Sequence, residues 1–141
     1  MVLAASTIHS TAFRPAIRVL LVDDNPKFLQ MTAGFLAIFA GFQVVGAADS
    51  GREALAQIEQ LRPDLVLLDI AMPGLDGLEV TRRLKKQPAP PRVIILTMHD
   101  DLEYQRAAQA AGADGYVVKA EMGVQLLPLI RSLFTPSTPG R

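Results

Sequence analysis

Cysteine and tryptophan are absent from this 141-residue chain, and neither sign of charge is in excess, with fourteen Lys and Arg against fourteen Asp and Glu. Without cysteine there can be no disulfide and no thiolate metal site, which suits a reducing, cytoplasmic setting. Without net charge there is no electrostatic case for nucleic-acid or anionic-membrane binding by the bulk of the domain. Its apolar runs fall far short of the roughly 20 residues that a membrane helix needs. The first sixteen residues, MVLAASTIHSTAFRPA, have neither the basic start nor the long apolar centre of a secretion signal. They read as a flexible extension over 1–16, with a cleaved targeting peptide as the lesser alternative. No solenoid repeat is present.

Half of the residues are hydrophobic, and the length suits one domain with a sizeable core, placed at 17–134. The closing TPSTPGR, 135–141, reads as a tail or the start of a linker. Between these ends, apolar runs alternate with helical patterns five times. IRVLLVDD gives a strand, roughly Arg18 to Val22, and Asn25-Pro26 starts a helix as N-cap and first helical residue. Phe28, Thr32, Phe35 and Phe39 hold one face of it, and Gly41 is its expected end. FQVVGAA supplies the second strand, about Gln43 to Ala47. Ser50-Gly51-Arg52-Glu53 is a capping box before a helix that turns Leu55, Ile58 and Leu61 inward and stops before Pro63.

LVLL is the third strand, Asp76 to Glu79 caps the next helix, and RVIILT is the fourth strand. Asp100 to Glu103 repeats the cap pattern before an alanine-rich helix ending at Gly112, GYVVK is the fifth strand, and a last helix covers about 123–134. The apolar strands are near-continuous rather than alternating, the mark of parallel strands covered on both faces. The fold class is therefore α/β: a doubly wound, five-stranded parallel sheet in flavodoxin-like order 2-1-3-4-5, with helices on both faces.

In such a sheet the carboxyl ends of the strands share one edge, and sites form there. Strand one ends in Asp23-Asp24, strand three in Asp69, strand four in Thr97 and strand five in Lys119. Taken singly each has a plain explanation: an aspartate caps the next helix, a threonine suits a strand, a lysine is a solvated charge. Together they put three carboxylates, a hydroxyl and an ammonium at one place. Clustered carboxylates repel, and a hard divalent cation relieves this; oxygen ligands without His or Cys favour magnesium (Mg2+). An aspartate beside magnesium and a lysine can act as a nucleophile toward phosphorus and form an acyl phosphate.

The stretches VLLVDDN, DLVLLDIAMPGLDGLEV, VIILTMHDD and AGADGYVVKA resemble the receiver domain of bacterial two-component response regulators, and GYVVKA most resembles receivers of helix-turn-helix transcription factors. The resemblance implies that Asp69 accepts a phosphoryl group from a phosphohistidine on a sensor kinase or phosphotransfer protein. It implies a magnesium site of Asp23, Asp24, Asp69 and the Ala71 carbonyl, with Thr97 and Lys119 on the phosphoryl oxygens. It makes Tyr116 a switch aromatic coupled to Thr97, gives Ala71 and His99 a part in the phosphoryl lifetime, and makes the fourth helix, fifth strand and fifth helix the output face. The chemistry implied is on the chain itself rather than on an independent substrate. The partners implied are a kinase, a downstream protein or fused output domain, and a second copy of the chain on phosphorylation.

Two positions depart from the common pattern. Ala120 stands where many receivers have a cis-proline, and the Lys119-Ala120 bond is still expected to be cis. Pro128 falls inside the last helix and predicts a kink or a helix that begins near it, which puts ordinary dimerisation at that face in doubt. Three rival readings stand beside the receiver. A haloacid-dehalogenase-type phosphatase would want an acid at position 71, which is Ala71. A nucleotide-binding flavodoxin relative would want a glycine-rich phosphate loop. A receiver-shaped binding module that is never phosphorylated would be favoured by loss of an acid or of the lysine, and all are present.

Overall fold

A computed structural model of the protein describes residues 15–135. The expected extension, apart from residues 15–16, and the tail beyond residue 135 lie outside the described residues. Five strands, β1 (Ile17–Val22), β2 (Phe42–Ala48), β3 (Leu65–Leu68), β4 (Arg92–Thr97) and β5 (Gly115–Val118), form one parallel sheet in the order β2-β1-β3-β4-β5. Five α-helices connect and close it: α1 (Pro26–Ala37), α2 (Gly51–Leu61), α3 (Gly77–Lys85), α4 (Leu102–Ala111) and α5 (Met122–Phe134). Among the described residues no helix is long and apolar enough to cross a membrane.

The central strands bury both faces because their side chains alternate into two separate cores. Leu20, Val22, Val66, Leu68, Val93 and Ile95 meet Ala54 and Ile58 of α2, Val80 and Leu84 of α3, and Ala108 of α4. Val19, Leu21, Leu65, Leu67, Ile94 and Leu96 meet Leu36 of α1 and Met122, Leu126 and Ile130 of α5. Each such leucine or isoleucine contributes about 1.5–3 kcal/mol through the water it sheds. The continuous apolar reading of LVLL follows directly, since both of its faces are covered.

Register sets the edge that matters. Val22 pairs with Leu68 across β1 and β3, so Asp23 and Asp69 each follow the last paired residue of adjacent strands. The Asp69 N–H continues the ladder onto the Val22 carbonyl at 3.0 Å. Thr97 pairs with Val118, which delivers Lys119 one residue later. Helix α3 approaches the same edge closely: a Cβ placed at Gly77 would lie 2.1 Å from the Asp69 carbonyl oxygen, and the Gly77 N–H bonds the Ile70 carbonyl.

Caps fix three of the helix starts. Asn25 accepts the N–H groups of Lys27 and Phe28, Ser50 accepts that of Glu53, and Asp76 accepts that of Glu79 at 2.9 Å. Three expectations are corrected, and of the two alternatives for Pro128 the helix that begins near it is excluded. Helix α1 ends at Ala37, before Gly41: residues 38–41 form a turn in which Gly41 takes a φ of 101° and its carbonyl accepts the Ile17 N–H. That bond ties the turn to the start of β1. Asp100 does not cap α4; Asp101 holds that place and makes no side-chain cap bond. The Lys119-Ala120 bond is trans, as are all peptide bonds among the described residues; a 3-10 turn over Lys119–Glu121 redirects the chain without the cost of a non-proline cis bond. Helix α5 begins at Met122 and runs through Pro128, which lies on its exposed side, so water can serve the backbone carbonyl the ring leaves unpaired.

Candidate functional site

Asp23 and Asp69 are buried, at 3% and 7% exposure, and Asp24 beside them is exposed. Each of the three offers a carboxylate oxygen, and these oxygens all lie within 4.8 Å of one another. Buried carboxylates need partners. Asp23 Oδ1 accepts the Asn25 N–H at 2.9 Å, and Asp69 Oδ1 accepts the Ala71 N–H at 3.3 Å, which folds the loop after β3 back toward Asp69. The Lys119 ammonium lies 2.6 Å from Asp23 Oδ2 and 3.3 Å from Asp69 Oδ2. It also sits over the face of Phe28, 4.2 Å from the ring centroid.

Three acids against one ammonium leave the cluster with a surplus of negative charge. Its donors are all hard oxygens, a set that suits magnesium, which is commonly held by one or two carboxylates plus water and phosphate oxygens. The exposed Asp24 is where solvent reaches the cluster.

A second group forms around His99. Thr97 is fully buried, and its hydroxyl oxygen accepts the His99 N–H at 3.4 Å. The Tyr116 hydroxyl donates to the His99 carbonyl. The His99 ring stacks on Tyr104 with centroids 4.5 Å apart and planes at 25°. Burial, with the negative charges of Asp101 and Asp100, pushes the Tyr116 hydroxyl above its ordinary value, so it stays a donor at neutral pH. Thr97 and Tyr116 are thus linked through one residue's backbone.

The residues singled out from the sequence therefore fall into two sets. Asp23, Asp24, Asp69 and Lys119 come together directly, with Ala71 bonded to Asp69 through its backbone. Thr97, His99 and Tyr116 form the neighbouring set. Two participants were missed. Phe28 read as part of a core face because its spacing fits one, and its contact with Lys119 joins opposite ends of the sequence. Asn25 read as a cap, which it is, but its own N–H also holds Asp23; the adjacency Asp23-Asp24-Asn25 was the available signal.

The comparisons with known proteins agree with this geometry. The family model for the response regulator receiver domain matches residues 19–131. The chain is 39% identical over 118 residues to response regulator GacA of Pseudomonas viridiflava, covering 84% of this chain and 55% of that protein. It is 41% identical over 122 residues to the positive alginate biosynthesis regulatory protein of Pseudomonas aeruginosa, covering 86% and 48%. The receiver domain of the putative response regulator NarL from Mycobacterium tuberculosis superposes with a TM-score of 0.80 at 31% identity, covering 85% of this chain and 97% of that one. The chain belongs to the response-regulator receiver family of two-component signalling. It spans about half the length of the curated relatives it matches.

Proposed function

We propose that the protein is a phosphorylated receiver in which Asp69 accepts a phosphoryl group from the phosphohistidine of a sensor kinase or phosphotransfer protein. The observation that carries this is a buried carboxylate at a strand end with two further acids beside it and an ammonium at 3.3 Å. An Asp69 oxygen attacks phosphorus, the P–N bond breaks, and the imidazole leaves with its electron pair. Lys119 then faces the phosphoryl oxygens with its positive charge, and the Thr97 hydroxyl donates to one of them. Magnesium, held by Asp23, Asp24, Asp69 and the Ala71 carbonyl, would offset charge on the transferring group.

The domain is assigned to 17–134, with 1–16 and 135–141 as flanks. Phosphorylation acts by favouring one of two states of the face formed by α4, β5 and α5. Drawing the Thr97 hydroxyl to the phosphoryl group would release the His99 N–H, and the same residue's carbonyl holds Tyr116. Ala71 and His99, two residues beyond Asp69 and Thr97, set how readily water reaches the acyl phosphate. A cytoplasmic setting, a downstream protein or fused output domain, and a homodimer of phosphorylated chains complete the reading.

The test is acetyl phosphate with magnesium, read by intact mass. One added phosphoryl group on the wild type and none on Asp69→Asn is the expected result. A wild type that stays unmodified, and that is also ignored by phosphorylated kinases, would leave a receiver-shaped binding module in its place.

A further inference from the structure

Phe28 stands in the first turn of α1, half-buried against the core on the α1 and α5 side of the sheet. The same cap that starts this helix ties it to the site. Asn25 accepts the Phe28 N–H through its side chain, and its own N–H bonds Asp23. The ring centroid is 4.2 Å from Lys119 Nζ, within the range in which an ammonium is drawn to an aromatic face. An ammonium carries three N–H bonds. Asp23 and Asp69 lie within reach of this one at 2.6 and 3.3 Å, and the ring covers a further side. The side chain is only 11% exposed, so water can do little of this work.

We propose that Phe28 is a positioning residue that holds the Lys119 ammonium at the acceptor through its ring face. This rests on the reading of Asp69 as phosphoryl acceptor. The physical case is competition for partners. Asp23 is the nearer of the two carboxylates to Lys119, and it also belongs to the three-acid cluster. A divalent cation at that cluster draws on the same charge, and a phosphoryl group on Asp69 changes the second partner. The ring is a partner that neither of them takes. Lysine has a flexible four-carbon stem, so without the ring its ammonium would wander when Asp23 is shared.

Truncation is a poor test. A gap of about 10 Å³ bordered by Asp23, Phe28, Thr32 and Leu96 would merge with the lost volume of Phe28→Ala and admit water. Ring fluorination keeps shape while stripping electron density from the face. The full chain is therefore compared with singly, doubly and triply ring-fluorinated phenylalanine at position 28, together with Phe28→Tyr and Phe28→Leu. Two quantities are read: the order of the Lys119 Cε by NMR without metal, and the rate of phosphoryl acceptance from acetyl phosphate with magnesium.

Both are expected to fall stepwise with fluorination, the rate by about fivefold for the trifluoro ring, while the melting temperature stays constant. Phe28→Tyr retains both and Phe28→Leu loses both. A rate that is flat across the series overturns the positioning role, and so does flat Lys119 order. If the wild type accepts no phosphoryl group at all, the acceptor reading fails by itself; the metal-free NMR series then still decides whether the ring holds Lys119.

Discussion

At one end of the sheet a single ammonium, Lys119, lies between two carboxylates; at the other a single carboxylate, Asp114, lies between two cations. Asp114 sits just before β5. It accepts from Lys85 Nζ at 2.6 Å, from Arg92 Nη1 at 3.1 Å and from the Val93 N–H at 2.8 Å, while the spare reach of Lys85 goes to the Pro91 carbonyl. Every oxygen there is met, so the cluster ties the end of α3 to β4 and β5. The acidic cluster has the same ingredients in another proportion: three carboxylates, one lysine, and one of the acids open to water. Ion pairs alone do not separate a brace from a site. The surplus of one sign, with an open approach, does.

Breaking the brace should have the largest effect on stability. Asp114→Ala strands a mostly buried Lys85 and the Val93 N–H, and is expected to cost about 2 kcal/mol, read as a lower urea midpoint, with phosphoryl acceptance from acetyl phosphate unchanged. The pH dependence sharpens this. Burial pushes the Asp114 carboxyl up, but Lys85, the Val93 N–H and Arg92 outweigh it and hold the carboxyl below its ordinary 3.8. A carboxyl lowered on folding stabilises the protein above its unfolded value, and that contribution is lost as pH falls through the folded one. The advantage of the wild type over Asp114→Asn should therefore be constant near neutrality and shrink below about pH 4.

The acidic end should behave in the opposite sense. Magnesium at ten times its dissociation constant should stabilise the wild type by about 1.4 kcal/mol, seen as a rise in melting temperature that Asp24→Asn weakens. Without metal, Asp24→Asn should gain slightly, by about 0.5 kcal/mol or less, because it relieves repulsion at an exposed position. A metal-free Asp24→Asn that is plainly less stable than wild type would mean that the two ends do not differ as described. The smallest effect belongs to Glu79, which meets Arg82 and Arg83 on the open surface of α3. Glu79→Gln should leave the melting temperature within error, since the cap from Asp76 uses the Glu79 backbone and survives the change.

Legibility followed how local each cause was. Strands β3 and β4 were readable to the residue, because a run of apolar side chains buried on both faces admits no polar residue until the edge is reached. The meeting of Asp23, Asp24, Asp69 and Lys119 was readable because parallel pairing forces strand ends to one side. The end of α1 was not, because Gly41 is needed for a turn held by Ile17, a residue that belongs to another element. Nor was the partner of Tyr116: its hydroxyl meets a main-chain carbonyl, which carries no mark in the sequence. Asp100 and Asp101 offered two candidates for one cap, and composition cannot choose between neighbours. The role of Phe28 was hidden by its neighbours on α1, whose spacing accounts for it equally well as packing.

Gly77 shows how far the demands of the acidic edge reach. The helix that follows the loop after β3 presses its first residue against the peptide of Asp69 so closely that there is no room for one more carbon. The depth at which that carboxylate sits is thus gauged by an empty place. At position 77 even a methyl group would collide with main-chain oxygen, so only the residue without a side chain lets the helix start lie against the peptide of Asp69.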